Sequence, residues 1–571
     1  MPMVVRSRHL SWFQRGEAVF LYHDLYGFLL EMSRDLKDFI DWFAEPHDAE
    51  QALAHFKGKH DEKQIIEFLS VFWQQRALVA PDAEELDGLV EAVPIKGPWI
   101  VVGREADGTM TAVISRGFGD EPYAEPRLLR LDTWQAELWR RIDGERTLLQ
   151  LAGSLSEDLD GDPRQDLGRA VVSVAAWTHS AVQLTRVLLK PRSQLPRLPS
   201  YATSTMPYPP LATDEGATLA PTGTRAELHD NTLNLQQYHQ SGIEDAEAQF
   251  EEKETTLSHL FSEPHPALQD RTFAEAFLAA AQVRGWLHGG ERVVEVGGGT
   301  GRFAAGVLQA SAELWPDKPL DYTIVDLSPT LHAAQQLRLA PWAAQARSTV
   351  GQGEELNFPD GSVDFLISNE VIADFRIGFV SRNAVKSQQV DAETSAEALA
   401  LCLAYKLPIE RAPEPVPIQV GATRLLERLA QVLRPGGTAV LTEFGGLEQF
   451  PIESSHLDHA EYSVHFGHLV VVARALGLEV EVVPLPELLG LRGDVWVLSS
   501  TRTQFRNLRH LLRIHGGDLR KRALTPEQFA LACGQALRPE RIEGVKFQPV
   551  AERVMGLQPA EFQALIVRRP G

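Results

Sequence analysis

Near the N-terminus, short alternating hydrophobic runs give way to amphipathic segments, and this happens twice. Ala18-Val19-Phe20-Leu21-Tyr22 alternates with a period of two and predicts a strand. Behind it, Leu36, Phe39, Ile40 and Phe43 fall at helical spacing, and Ile65, Ile66, Leu69, Phe72 and Trp73 do so again before Arg76-Ala77-Leu78-Val79. The order then repeats. Trp99-Ile100-Val101-Val102 and Thr111-Ala112-Val113-Ile114 flank an Asp107-Gly108 turn, and helical patterns follow around Trp134, Leu138 and Ile142, then Leu148 and Leu151, then Val171, Val174 and Ala175. A few strands followed by three short helices predict two small α+β units of winged-helix type, over residues 1–92 and 93–190.

Prolines break the pattern next. Pro191, Pro196, Pro199, Pro207, Pro209, Pro210 and Pro221 stand among Ser, Thr and Gly, which predicts an extended spacer over residues 191–224. Past it, from 225 to 571, apolar strands run into turns rich in glycine and acid and then into helices. That alternation predicts an α/β domain of Rossmann-like type.

Composition narrows the function. A chain of 571 residues with 44% hydrophobic content has room for several domains with real cores. A formal net charge of −22 argues against nucleic acid as the main partner, because phosphate binding requires a basic surface. Cys402 and Cys533 lie too far apart in sequence for a disulfide framework and are too few for a thiolate-rich metal site. No apolar run approaches a membrane span, and the N-terminus carries no secretory pattern, so a cytoplasmic protein with no membrane contact is expected.

The strongest chemistry lies in Glu291-Arg292-Val293-Val294-Glu295-Val296-Gly297-Gly298-Gly299-Thr300-Gly301-Arg302, an apolar strand that ends in an acid and turns through glycines into a helix. Glycines there let a backbone pass close beneath a ligand. One βα unit later, Asp321-Tyr322-Thr323-Ile324-Val325-Asp326 is a second strand ending in a carboxylate, which can accept ribose hydroxyls. Gly351-Gln352-Gly353-Glu354-Glu355 and Asn357-Phe358-Pro359-Asp360-Gly361-Ser362 precede a strand at Val363 to Ser368, and Leu433-Arg434-Pro435-Gly436-Gly437 precedes another at Thr438 to Thr442. In order and spacing this succession resembles the class I methyltransferases. The resemblance implies S-adenosylmethionine as cofactor, with S-adenosylhomocysteine as product. It implies a cofactor site of Glu295, Gly297, Gly299, Gly301, Asp326, Leu327, Gln352, Gly353 and Asn369, with Gln352 facing the adenine where the family usually has an acid.

Ser368-Asn369-Glu370-Val371-Ile372-Ala373-Asp374-Phe375, Asp326-Leu327-Ser328-Pro329-Thr330-Leu331 and Gln335-Gln336 resemble the MidA-like subgroup, which includes the arginine methyltransferase of mitochondrial complex I assembly. The order of Ala373 and Asp374 is swapped relative to that subgroup. In the N-terminal third, Ile142-Asp143-Gly144-Glu145-Arg146-Thr147 resembles the PqqD-like recognition domains of ribosomally made, modified peptides, whose units take up a precursor leader as an added strand.

Glu370 and Asp374 lie just past a strand's carboxyl end, where open α/β sheets place their sites, and are the candidate catalytic acids. They suit an amine or guanidinium acceptor. A carboxylate acceptor would instead need cations, and Arg271, Arg302 and Arg376 are the candidates. His259 and His265 are further candidates for the acceptor pocket, and His456, His459, His465 and His468 form a second cluster to which no metal is assigned. Residues 376–417 read as an insertion near the pocket mouth, with a helix over Ser395 to Ala404. The leading expectation is methylation of a precursor peptide held by its leader. The alternatives are arginine methylation of a folded protein partner, or a non-catalytic assembly factor. A homodimer is compatible with the exposed apolar runs.

Overall fold

The computed structural model describes residues 3–7, 10–15, 18–23, 28–74, 77–81, 90, 93–96, 100–114, 127–177, 182–185, 256–456, 459–500, 502–520, 523–534, 537–555 and 557–571. The proline-rich stretch 191–224 lies outside them.

Both N-terminal units carry three antiparallel strands followed by three helices. The first has β1 (Leu10–Arg15), β2 (Ala18–His23) and β3 (Phe28–Met32), then α1 (Arg34–Trp42), α2 (Ala49–Phe56) and α3 (Glu62–Gln74). Only β2 was visible in the sequence. Phe39 packs against Phe43, Phe56, Phe68 and Phe72 at the centre of its core. The second has β4 (Val101–Arg104), β5 (Met110–Ile114) and β6 (Arg127–Leu131), then α4 (Thr133–Arg141), α5 (Leu148–Asp158) and α6 (Pro163–Trp177).

The Asp143–Thr147 motif makes the corner between α4 and α5. Asp143 accepts the amides of Glu145 and Arg146 (2.9 and 3.0 Å), Arg146 donates back to Asp143 and to the Arg141 carbonyl (2.6 and 2.9 Å), and Thr147 caps α5. In this chain the motif therefore has a local structural task.

The C-terminal part is built on one seven-stranded path. After a short helix α7 (Leu257–Leu260) and α8 (Phe273–Val283), the strands are β7 (Arg292–Val296), β8 (Asp321–Asp326), β9 (Ala346–Val350), β10 (Val363–Asn369), β11 (Leu433–Gly446), β12 (Glu479–Pro484) and, further along the chain, the last strand, Phe562–Arg568. Their spatial order is β9-β8-β7-β10-β11-(562–568)-β12. The first five run parallel, and the 562–568 strand runs antiparallel to both neighbours. Such a strand sets this sheet apart from an all-parallel dinucleotide-binding sheet. Helices α9 (Arg302–Leu314), α10 (Pro329–Leu339), α11 (Ala396–Tyr405), α12 (Val420–Val432) and α13 (Phe466–Ala475) accompany the sheet. The strands read as near-continuous apolar runs because the sheet is covered on both faces: Val293, Val294, Ile324, Phe365, Leu366, Val440 and Leu441 are buried.

Two insertions enlarge this domain. Residues 376–417 hold an antiparallel strand pair, Ile377–Val380 with Val416–Gln419, and α11. Leu399, Leu401, Cys402, Leu407 and Ile409 of that insertion join the main core, so it is a packed wall of the domain. Residues 485–561, between β12 and the last strand, hold α14 (Arg502–Ile514) and the short strand β13 (Ile542–Glu543). The last strand, Phe562–Arg568, is β14. β13 pairs with β4, so the second N-terminal unit's sheet has the order β13-β4-β5-β6.

Candidate functional site

The glycine loop follows β7 directly. Gly297, Gly299 and Gly301 have φ of 73°, 52° and 78°, which L side chains avoid. Space is as limiting as torsion: a Cβ on Gly297 would lie 2.4 Å from Val371 Cγ2, and one on Gly298 2.6 Å from Ile324 Cγ2. Gly301 heads α9 without a side-chain cap, so the first amides of that helix are left for a ligand.

The loop is tied to the second strand through one acid. Asp326 accepts the Ser328 amide and the Gln335 amide group, both at 2.9 Å, while Gln335 also donates to the Gly299 carbonyl at 2.8 Å. Burial raises the Asp326 carboxyl, and these donors, with the Gly298 and Gly299 amides, oppose the rise. Gln335 is fully buried, and its Oε1 has no partner among the described residues. An orphan acceptor beside the glycine loop fits a polar ligand better than a closed core.

Glu295 lies next to Asp326 but within the sheet. Its carboxyl accepts the Tyr322 hydroxyl at 2.9 Å. Burial, with a further push from Asp326, raises it to about 8 despite that bond. It is therefore mostly protonated at neutral pH, and it supports the loop from inside the sheet.

Past β9 lie the residues expected to face the adenine. Gln352 is exposed, while Glu354 is buried. Glu354 accepts the Arg376 backbone amide and guanidinium (3.1 and 2.8 Å), which fastens the first insertion to the cofactor side. Gly353 is required by packing, since a Cβ there would meet Val296 Cγ1 at 2.3 Å. Leu327 is half-buried immediately after Asp326.

The candidate acceptor side converges from four separate segments. Asn369 ends β10, accepts the Thr442 hydroxyl (2.9 Å) and donates to Ser258 on α7 (3.1 Å). Glu370 sits at φ 54°, a left-handed conformation uncommon outside glycine, and its carboxylate accepts the Leu257 amide at 2.9 and 3.2 Å. It thus caps α7 across the site, and α7 has no cap of its own. Asp374 is half-buried on the 3-10 turn Ile372–Asp374. Beneath it lies an acid that the pattern of the chain did not reveal, Glu443 of β11. It is fully enclosed and accepts the amides of Ala373 (3.2 Å) and Phe444 (2.9 Å). Burial, then the charges of Glu370, Glu461 and Asp374, hold its carboxyl well above the ordinary range. Glu370, Asp374, Glu443 and Glu461 are therefore one electrostatic group. The signal for Glu443 was present as a carboxylate at the end of the fifth strand, Thr442-Glu443-Phe444, but nothing local marks it.

The histidines separate. α7, which carries His259, is brought to Glu370 and Asn369, and His259 is half-buried there. His265 is held by the backbone: its Nδ1 accepts the Ala267 amide at 3.0 Å and its Nε2 donates to the Ala523 carbonyl. Both nitrogens are thereby committed to backbone. His465 and His468 stack at 3.9 Å inside the core; His465 Nδ1 accepts the His468 amide, and His468 Nε2 faces the Pro408 carbonyl. Burial pushes His465 down to about 3. Side chains of His456 and His459 lie outside the described residues.

The cations expected for a carboxylate acceptor are also placed. Arg376 is paired with Glu354 and Glu397 (2.7 and 2.9 Å), and Arg271 is exposed. Arg302 heads α9, and its guanidinium Nε is buried.

Residues 272–435 match a family model described as "Putative S-adenosyl-L-methionine-dependent methyltransferase". The match begins at the cap of α8 and takes in the glycine loop, Asp326, Glu370 and Asp374. No curated protein matches the chain. Among solved structures, the [4+2]-cyclase SpnF is 17% identical over 53% of this chain and 82% of its own, with a TM-score of 0.26. A protein from Burkholderia thailandensis bound to S-adenosyl-homocysteine is 18% identical over 55% and 78%, with a TM-score of 0.31. Phosphoethanolamine N-methyltransferase 2 of Haemonchus contortus, in complex with S-adenosyl-L-methionine, is 14% identical over 58% and 61%, with a TM-score of 0.28. The chain is an S-adenosylmethionine-dependent methyltransferase. Among the described residues no helix is long and apolar enough to cross a membrane.

Proposed function

We propose that this methyltransferase acts on a cationic side-chain nitrogen of a ribosomally made peptide, and that the second N-terminal unit holds the peptide's leader. The observation that carries the choice of acceptor is the group formed by Glu370, Asp374, Glu443 and Glu461. A carboxylate acceptor would bring one more negative charge into a place where burial and like charge already raise the carboxyl of Glu443. An amine or guanidinium relieves that repulsion.

The cofactor supplies a methyl group on a sulfonium, whose neutral sulfide is an excellent leaving group. The chain's own residues have to position and to manage a proton. Asp326, the amides at the head of α9 and the glycine loop would hold the cofactor, and Gln335 Oε1 is available to accept from it. Glu370 and Asp374 would orient the acceptor nitrogen in line and take its proton.

For the leader, the available feature is a sheet edge. β4 is paired with β13 on its outer side, whereas no described strand pairs with the outer side of β6. Leu128 on β6 is 45% exposed and offers an apolar contact beside that edge. Strand addition there would give affinity through the main chain and selectivity through alternate side chains. The resemblance of residues 142–147 to the PqqD-like domains supports the same reading.

The test is mass spectrometry of short peptides encoded beside the gene, after incubation with enzyme and S-adenosylmethionine. The expected result is a gain of one methyl mass on a basic residue, lost in Leu128→Asp while cofactor binding persists. No gain on any such peptide, despite measured cofactor binding, overturns the peptide reading. It would direct attention to an arginine of a folded protein partner, which the MidA-like resemblance implies and which the same acidic pocket fits.

A further inference from the structure

In the second N-terminal unit, strands β4 and β5 are buried on both faces, and one of those faces is covered by the methyltransferase domain. Ile100, Val102, Met110 and Ala112 point into the unit's own core with Trp139, Leu151 and Trp177. Val101 and Val113, of opposite parity on β4 and β5, belong instead to the core that contains Leu508, Leu511, Leu512, Leu537 and Ile542 of the 485–561 insertion. The approach is close. A Cβ on Gly103 would lie 3.0 Å from Leu511 Cδ1 and 3.1 Å from Leu537 Cδ2, and one on Gly544 would lie 2.5 Å from the Ile100 carbonyl oxygen. β13 completes the contact by pairing Ile542 with Gly103 and Glu543 with Val102. Polar groups follow the same seam: His515 reaches Glu105 at 3.3 Å, and Lys96 feels Glu543 as a favourable charge.

We infer that the 485–561 insertion is a receptor for the second N-terminal unit, and that the two parts stay together without the covalent link between them. A helix supplying a leucine ridge and a strand supplying edge pairing are the two devices by which separate protein chains recognise a sheet. Here they are supplied by an insertion between the sixth and seventh strands of the domain's sheet, which the sheet itself does not need for closure. The consequence is functional as well as structural. The edge of β6 is held at a fixed position relative to the catalytic domain, so the unit does not act as a tethered module sampling many positions. Deleting residues 1–190 would also uncover Leu508, Leu511, Leu512 and Ile542, and so would damage the catalytic domain independently of any loss of substrate capture.

The experiment uses the full chain with a protease site inserted between Thr213 and Asp214. After cleavage, native mass spectrometry and gel filtration at micromolar concentration should show one species containing both fragments in 1:1 ratio, with affinity for S-adenosylmethionine unchanged within about twofold. Introducing Ile542→Pro, which constrains the backbone of the paired edge, together with Leu511→Asp should abolish co-elution after cleavage. Fragments without these substitutions that separate into two folded species overturn the inference. Because Leu511→Asp could unfold its own fragment, hydrogen exchange on the uncut, unsubstituted chain gives a second reading. Residues 101–104 and 508–512 should be protected together, and open-chain exchange at 101–104 with protection retained at 292–296 would overturn the inference equally.

Discussion

The two halves of the site are made in opposite ways. The cofactor half comes from one short stretch of chain: the loop at 297–301, the acid at 326 and the amide at 335, joined by hydrogen bonds between successive βα units. The candidate acceptor half joins α7, the end of β10, the end of β11 and the strand His459–Tyr462 that carries Glu461, segments separated by up to about two hundred residues. A site built locally has to satisfy steric rules that leave a mark in the sequence, such as glycine where φ is positive. A site assembled across the sheet is constrained by electrostatics between distant residues, and it leaves no spacing to read.

That difference can be broken most sharply at Gly297. Valine there would need both a left-handed backbone and room that Val371 already fills at 2.4 Å. The backbone term alone costs about 1–2 kcal/mol, and the overlap forces the loop to move. Gly297→Val should abolish measurable S-adenosylmethionine binding by calorimetry while the far-ultraviolet dichroism of the folded chain persists. Retained affinity would show that the loop is not the cofactor cradle.

On the acceptor side, Glu370→Gln keeps an oxygen that can accept the Leu257 amide but removes the charge. Cofactor affinity should be unchanged. Turnover on a methylatable peptide should fall by about 10²–10⁴-fold, the range for a lost general base. A fall in cofactor affinity of the same size would mean that the carboxylate serves α7 and the fold, with no separate role toward the acceptor.

The same contrast accounts for what could be read without coordinates. The α/β class, the strands at 292–296, 321–326 and 363–369 and the acid at 326 follow from period, glycine and carboxylate placement. In the N-terminal third, helices of strong period such as 62–74 were legible. The strands 10–15, 28–32 and 127–131 were not. Their sequences, such as Arg-Leu-Leu-Arg-Leu, carry no clean alternation, and pairing with a neighbour fixes them as strands. A histidine near a pocket and a histidine capping a 3-10 turn, as His265 does, have the same sequence appearance. Gln352 stands out by its position in the motif, while Glu354, two residues on, is the buried acid, held by Arg376 from a distant segment. The contact of β13 with β4 joins residues about 440 apart, and nothing local encodes it.

The smallest expected effect concerns Glu295, and it sharpens the comparison because this acid belongs to the locally built half yet shows the electrostatics of the other. Its carboxyl is raised from 4.5 to about 8, chiefly by burial. A group whose folded value lies above its unfolded value binds more protons in the folded state, so stability falls as pH rises between those two values. The slope contributed is at most about 1.4 kcal/mol per pH unit. The window runs from about 4.5 to about 8, the contribution being complete below it and lost above it. Glu295→Gln keeps an oxygen to accept the Tyr322 hydroxyl and removes the proton to be lost. The variant should therefore match the parent near pH 5 and melt higher at pH 8, with a flatter curve of melting temperature against pH. Glu443 and Asp326, raised for the same reason, leave a residual slope of the same sign. Parallel curves for variant and parent would mean that Glu295 stays ionised in the folded chain, with its charge balanced by something other than the Tyr322 hydroxyl.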